Sequence, residues 1–403
     1  MADDPAMESS RPVVRLPFER EEYLERVART RALLRGEGFD ALLILAQESH
    51  YYLTGYDTDG FIFFQCAVLT ASDGPITLLT RRPDLAQARE TSIIEDIRIW
   101  WDKDGANPAL DLRSILAEKN LRGSRIAIEL NTHGLTGLNC RHVAEALSGW
   151  CKFEDGSHIV RSLRVCKSPA ELLYVRRAAD LCVSSLQELI ATAKPGISDS
   201  DLKAIYLRHV LARDADMPPN HPLFNGGRRA LYARGVAGAH VLRPTDQLLV
   251  EYPASIRRYN VKTGWMIILG DMPEAQRRMF DTVKQALASM TVATRPGDPI
   301  GNIFEAYRCV VDGAGYRKVR LGACGYSVGI SYAPTSMDVP PMIYPENPQL
   351  QRPGMTLFFH VMLSDFDSGF GMGLGHTVLV TQSGCDVLNP LPESPTIIRG
   401  SRF

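Results

Sequence analysis

Three residues whose side chains could support proton-transfer chemistry lie close together in the second half of the sequence. His240 is followed eleven residues later by Glu251, and Lys262 comes eleven residues after that. A histidine can take up and return a proton near neutral pH, because the unperturbed pKa of its ring is about 6.5. Glu251 ends the apolar run 248–250, where a buried carboxylate needs a partner, and Lys262 is the natural one. The predicted ion pair can be catalytic or structural, and the sequence leaves both readings open.

Six short motifs then occur in the order expected for one known superfamily. They are HYYLTGY at 50–56, CKSPAE at 166–171, DQLLVE at 246–251, GYSVG at 325–329, PGMTLFFH at 353–360 and HTVLVT at 376–381. The series resembles the creatinase/aminopeptidase P/prolidase-like (M24) superfamily and can be followed over most of the chain. This resemblance implies an α/β N-terminal domain and an α+β C-terminal domain of the pita-bread (creatinase-like) type.

Metal-dependent members of that superfamily carry two aspartates, one histidine and two glutamates in this series. The resemblance puts Glu251 and Lys262 at the aspartates, Tyr326 at the histidine, and His360 and Gly375 at the glutamates. An ammonium group in place of a bridging carboxylate has the wrong charge for a site that holds two divalent cations. The resemblance is therefore to the metal-free branch, near creatinase and ectoine hydrolase, and it predicts no metal and no cofactor.

The same resemblance implies roles for the side chains of the predicted site. His240, in the Gly-Ala-His segment 238–240, is expected to carry the proton, while Glu251 and Lys262 set the local field and Tyr326 stabilises an oxyanion. The side chains expected to contact the substrate are Phe61, Phe63, Arg243, His360 and His376. Because the superfamily forms homodimers, the two phenylalanines are expected to close the site of a partner subunit. An arginine such as Arg243 could hold a substrate carboxylate through two hydrogen bonds.

Helix-breaking and capping residues, together with the spacing of apolar residues, divide the chain into segments 1–14, 15–165 and 166–403. The first has no signal-peptide pattern and is predicted to be a disordered tail. The second alternates helix-like and strand-like runs, which is typical of an α/β domain. The third opens with Ser168, Pro169 and Glu171, whose order predicts a capped helix N-terminus.

Composition limits the classes of partner. The chain has 403 residues, 45% of them hydrophobic, and a net charge of −1, which argues against binding to nucleic acid or an anionic membrane. No apolar run approaches the roughly 20 residues of a membrane helix. Eight cysteines without a Cys-x-x-Cys pair are typical of reduced thiols, so the cytoplasm is the expected location.

The function expected from these observations is metal-independent hydrolysis of a C–N bond in a small polar amidine, amide or cyclic metabolite, with histidine as general acid and base. Creatine itself is not expected, because Thr263 and Gly375 stand near the positions of the two carboxylates of the creatinase site. Two alternatives remain open. Glu251, His360 and His376 could form a mononuclear metal site of a lyase or Xaa-Pro-type peptidase, or the chain could be a non-catalytic binding relative.

Overall fold

The computed structural model describes residues 14–399, so the tail predicted at 1–14 lies outside the described residues except for Val14. The chain forms two compact units, the first ending at Arg164 and the second beginning at Val165. Across the described range, no helix has both the length and the apolar character needed to cross a membrane.

The N-terminal unit is built on a six-stranded mixed sheet. Its strands are β1 (Ala41–Ile44), β2 (Cys66–Thr70), β3 (Thr77–Arg81), β4 (Asp96–Trp100), β5 (Arg125–Ile128) and β6 (Lys152–Asp155). Its helices are α1 (Arg20–Glu37), α2 (Gln47–Thr54), α3 (Leu85–Thr91), α4 (Pro108–Glu118), α5 (Gly137–Leu147) and α6 (His158–Arg164). The strand order is β4-β3-β2-β1-β5-β6, with parallel pairing of β1 with β5 and of β5 with β6. The predicted alternation of helices and strands is confirmed.

The C-terminal unit has four long helices and a larger sheet. The helices are α7 (Pro169–Thr192), α8 (Asp199–Leu211), α9 (Glu274–Val292) and α10 (Gly301–Gly313). The strands are β7 (Leu223–Gly226), β8 (Gln247–Ile256), β9 (Tyr259–Leu269), β10 (Gly325–Ser327), β11 (Thr356–Ser364), β12 (Gly371–Val380), β13 (Cys385–Val387) and β14 (Thr396–Ile398). Ser168 and Glu171 cap α7 reciprocally and Pro169 is its first residue, so the predicted helix start is confirmed.

The main sheet of this unit runs in the order β10-β11-β12-β9-β8-β7, and its strands along this path are antiparallel. Helix α7 packs against β8 and β9, and α9 packs against β11 and β12. Since successive side chains of a strand point to opposite faces, every second residue of these strands faces away from the helices. That second face carries the candidate site.

A tight hairpin fixes the register of the two central strands. Arg257 and Arg258 both have positive φ, 49° and 65°, and join β8 directly to β9. The Arg258 N–H donates to Asp216 Oδ2 at 2.6 Å, which holds this uncommon conformation for two non-glycine residues. The turn lacks the Asn-Gly or Asp-Gly pair that usually marks a two-residue hairpin. Strand β9 begins directly after it, at Tyr259, and therefore includes Lys262.

Candidate active site

A single cross-strand row, on the face of the sheet that points away from α7 and α9, forms the base of a cavity of about 670 Å³. In this row Glu251 of β8 is opposite Gly264 of β9, which is opposite Gly375 of β12, which is opposite His360 of β11. Two glycines thus separate the two functional side chains. Because neither glycine fills the space above the sheet, Glu251 and His360 reach each other across two intervening strands.

Glu251 and Lys262 form the predicted ion pair. Lys262 Nζ donates to Glu251 Oε1 at 2.8 Å, and the two residues are only 7% and 4% exposed. Burial alone would raise the pKa of Glu251, but the charges of Lys262 and His360 outweigh it and hold that pKa below its ordinary value. Burial would likewise lower the pKa of Lys262, but Glu251 and Tyr326 raise it. Both groups are therefore ionised across the neutral range.

Tyr326 lies at the other side of the Lys262 ammonium group. Lys262 Nζ donates to the Tyr326 phenol oxygen at 2.6 Å, and the ring packs on Phe358 with 5.5 Å between centroids. Burial raises the pKa of the phenol even though the charge of Lys262 opposes the change, so the hydroxyl keeps its proton near pH 7. Because the oxygen accepts from lysine, the phenol proton is available to a ligand oxygen in the cavity.

His360 is the imidazole of this site. Its Nε2 atom lies 3.0 Å from Glu251 Oε2, in a contact whose geometry is not that of a hydrogen bond, and this nitrogen has no other polar partner. The second ring nitrogen is not among the buried unpaired polar atoms. One side of the ring therefore faces a carboxylate while the other is accessible from the cavity.

The residues present do not fit the dinuclear metal centre that metal-dependent members of the superfamily carry. A Cβ atom at Gly375, the position of the last carboxylate ligand, would lie 2.5 Å from Phe358 Cζ and 2.7 Å from the Phe359 carbonyl oxygen. The position is occupied by an aromatic ring, and Lys262 places a positive charge in the same space. Between residues 14 and 399 no three His, Cys, Asp or Glu side chains are grouped closely enough to hold a metal ion.

The structure does not bring His376 to the cavity. It follows Gly375 on β12 and therefore points to the opposite face of the sheet, where its ring packs 5.8 Å from Phe359. Burial, with a smaller contribution from the charge of Lys284 on α9, lowers the pKa of His376 to about 4. The mononuclear site of Glu251, His360 and His376 fails for the same geometric reason, since the third ligand is on the wrong side of the sheet.

His240 and Arg243 also lie outside the residues that line the cavity. His240 Nε2 is 2.6 Å from Asp246 Oδ2, and its backbone N–H donates to Asp199 Oδ1 at 2.9 Å. The Arg243 backbone N–H also donates to Asp246, and the Arg243 side chain is exposed. The Gly-Ala-His segment is thus attached to the first residue of α8 and to the residue before β8. The His240 imidazole contacts Asp246 rather than the cavity.

Three basic side chains that line the cavity were not predicted: Lys203 on α8, His221 before β7, and Arg234 in the loop between β7 and β8. No local motif distinguishes Arg234 from the other arginines of this loop. Only the path of the backbone shows which of them faces the cavity.

The two phenylalanines predicted to serve a partner subunit belong to the N-terminal unit. Phe61 lies in a 3₁₀ turn, Gly60–Ile62, and is buried. Phe63 is 46% exposed, and the Arg81 guanidinium lies 3.8 Å above the centre of its ring. Their role at a second chain remains a prediction.

Comparisons with known proteins agree with this architecture. Residues 26–166 match the model of the creatinase/prolidase N-terminal domain, and residues 174–382 match that of metallopeptidase family M24. The predicted α/β domain followed by a pita-bread domain is thereby confirmed.

Individual relatives are distant but cover nearly the whole chain. Ectoine hydrolase of Halomonas elongata is 25% identical, over 94% of this chain and 98% of that protein. An uncharacterized hydrolase/peptidase of Sinorhizobium fredii is 24% identical, over 96% of this chain and its full length. The recombinant prolidase of Thermococcus sibiricus has 18% identity and a TM-score of 0.83, covering 93% and 99% of the two chains.

We expect replacement of Lys262 by methionine to destabilise the protein by roughly 3–5 kcal/mol, because it leaves the Glu251 carboxylate buried beside a neutral side chain. Adding Glu251→Gln should recover much of that loss. Urea denaturation of the four proteins of this double-mutant cycle measures both effects. Additive losses in the double variant would contradict the pairing seen here.

Replacement of His376 by leucine should flatten the acid limb of the stability profile. A folded-state pKa of about 4 for His376, below the unfolded value of 6.5, gives stability that is fully present above pH 6.5 and is lost as pH falls through 4. The effect can reach about 3 kcal/mol, since each pKa unit is worth about 1.4 kcal/mol. Denaturant titrations at pH 7, 5.5 and 4 compare the two proteins. An unchanged slope would mean that His376 titrates normally in the fold.

Proposed function

This chain belongs to metallopeptidase family M24, and from that premise we propose that it is a hydrolase that cleaves a C–N bond of a small polar metabolite without a bound metal. The substrate class is an amide, an amidine or a cyclic compound containing such a group. We further propose that it works in the cytoplasm as a homodimer, in which Phe61 and Phe63 approach the cavity of the partner.

The observation that carries the metal-free part of this proposal is the contact of Lys262 Nζ with both Glu251 and Tyr326, at 2.8 and 2.6 Å. A divalent cation bound to Glu251 would have to share that carboxylate with an ammonium group. The ion pair instead makes the inner end of the cavity close to neutral, and it leaves hydrogen-bonding groups rather than an electrophilic metal to face the substrate.

We assign the proton transfer to His360. In the proposed reaction its imidazole takes a proton from water as the water oxygen attacks the carbon of the scissile C–N bond. The Tyr326 hydroxyl donates to the atom on which negative charge develops, and Lys262 stabilises that charge from behind the phenol. Collapse of the adduct breaks the C–N bond, and the His360 imidazolium returns its proton to the leaving nitrogen. Glu251 stabilises the imidazolium in between.

This assignment differs from the one that the Gly-Ala-His segment suggested. His240 has its Nε2 on Asp246 and does not line the cavity, whereas His360 lines it and contacts Glu251. Similarity to the ectoine hydrolase of H. elongata supports hydrolysis of a small nitrogen compound. Similarity to prolidases supports the fold alone, since these structures are under 25% identical to this chain. A purely binding role is disfavoured because an imidazole, a carboxylate, an ammonium group and a phenol are in mutual contact in the cavity, as proton transfer and oxyanion stabilisation require.

Purified protein should contain well under one equivalent of transition metal, and chelators should not change its activity. The reason is that the Lys262 ammonium group already neutralises Glu251, the carboxylate that would otherwise bind a cation. Elemental analysis of protein grown in medium supplied with Mn, Fe, Co and Zn provides the measurement. One or two equivalents that are lost together with activity on dialysis against EDTA would instead support the prolidase-type alternative.

His360→Asn should lower kcat by about 10²–10⁴-fold with little change in KM, because it removes the proton carrier but leaves the cavity lined. His240→Asn is the matched comparison and should lower kcat far less. Both are measured on the best substrate from a screen of small amides, amidines and cyclic amidines, with circular dichroism as a control for folding. A larger loss of kcat in His240→Asn than in His360→Asn would identify His240 as the proton carrier and contradict the assignment to His360.

A further inference from the structure

The cavity has two ends of different charge. At its inner end the only lining carboxylate among residues 14–399, Glu251, is neutralised by Lys262. Farther out the lining includes Lys203 and Arg234. No described carboxylate pairs with either of these two side chains, and the Arg234 side chain donates only to the neighbouring Ala233 carbonyl, at 2.7 Å. The outer part of the cavity is therefore cationic.

Arg234 is an exposed residue in a loop that is anchored on both sides of it. The beginning of the loop is fixed by Arg229, whose guanidinium lies 3.5 Å from Asp199 and donates to the Gly238 carbonyl at 3.0 Å. The end is fixed by the contact of His240 with Asp246. Arg234 lies midway between these anchors. The backbone at Arg234 is held as well, because the Asn225 side chain donates to the Arg234 carbonyl oxygen at 3.2 Å.

The charge of Arg234 also reaches the inner end. Besides burial and the closer charges of Lys262 and Glu251, Arg234 contributes to the pKa of the Tyr326 phenol by lowering it. Tyr326 and Arg234 line the same cavity, whose volume of about 670 Å³ suits one small ligand. The wall between them includes apolar side chains such as Leu223, Val236 and Met337.

We propose that Arg234, assisted by Lys203, binds a carboxylate of the substrate. The substrate is then a small acid whose carboxylate lies on the outer side of the cavity while its hydrolysable C–N group reaches Tyr326 and His360. A guanidinium suits this role because its planar donors match a carboxylate through two parallel hydrogen bonds. The inference rests on the proposed hydrolysis for the inner half of the ligand only, since the outer half is a binding site in its own right.

The test uses matched pairs of acids and their primary amides, so that each pair differs only in the charged group. The probes are N-acetylglycine, N-acetyl-β-alanine and N-acetylproline with the corresponding amides, titrated calorimetrically at low ionic strength. Wild-type protein should bind at least one acid about tenfold more tightly than its amide, and salt should reduce the difference. Arg234→Gln should abolish the preference and Arg234→Lys should keep part of it. Arg295→Gln, an exposed arginine after α9, is the control and should change nothing.

Absence of an acid preference in every pair would overturn the proposal. A preference for acids that survives in the Arg234→Gln, Lys203→Gln double variant would also overturn it, because other residues would then bind the carboxylate. Unfolding temperatures without ligand show whether the variants are folded. The outcome is separable from that of the proposed hydrolysis: a preference for acids without turnover of any C–N compound would retain the carboxylate site and reject the hydrolase, and turnover of neutral compounds without an acid preference would do the reverse.

Discussion

The buried ion pair of Glu251 and Lys262 is the contact on which the rest of the candidate site depends. Two charges out of water are tolerated only when each is paired and hydrogen-bonded, so their positions have to be set within a few tenths of an ångström. The β8–β9 hairpin supplies that precision. Its two-residue turn at Arg257 and Arg258 makes Glu251 and Lys262 diagonal neighbours on one face of the sheet.

Small residues beside the pair are as important as the charged ones. Gly264 and Gly375 keep the row between Glu251 and His360 open, and the Phe358 ring closes the space that a longer side chain at 375 would need. The resulting contacts join the Lys262 ammonium group to the Glu251 carboxylate and to the Tyr326 phenol, and they place the His360 imidazole beside that carboxylate. In the proposed metal-free reaction these fixed side chains supply the field that a metal would otherwise supply.

The loop between β7 and β8 supplies part of the outer wall of the cavity, including Arg234. His240, the first catalytic candidate from the sequence, anchors this loop. Its backbone N–H donates to Asp199, and its imidazole contacts Asp246. The proposed chemistry at the inner end and the proposed carboxylate recognition at the outer end are consequently separated along one cavity. That separation allows a neutral reacting group and an anionic group of the same ligand to be handled by different residues.

The sequence by itself predicted the α/β character of the N-terminal domain, the capped start of α7 and the pairing of Glu251 with Lys262, because these follow from local periodicity, cap chemistry and the cost of burying a lone carboxylate. The pita-bread type of the C-terminal domain followed from the family resemblance of its motifs. The sequence also marked Tyr326 and His360 through their motifs. It could not separate His360 from His376, since both lie in strand motifs that resemble those of the superfamily, and only the register of β11 and β12 decides which face of the sheet each side chain meets. Nor could it show that His240 lies outside the cavity lining or that Arg234 belongs to it. Which side chain of the twenty-residue segment 227–246 enters the cavity is decided by contacts with residues distant in sequence, and those contacts exist only once the chain has folded.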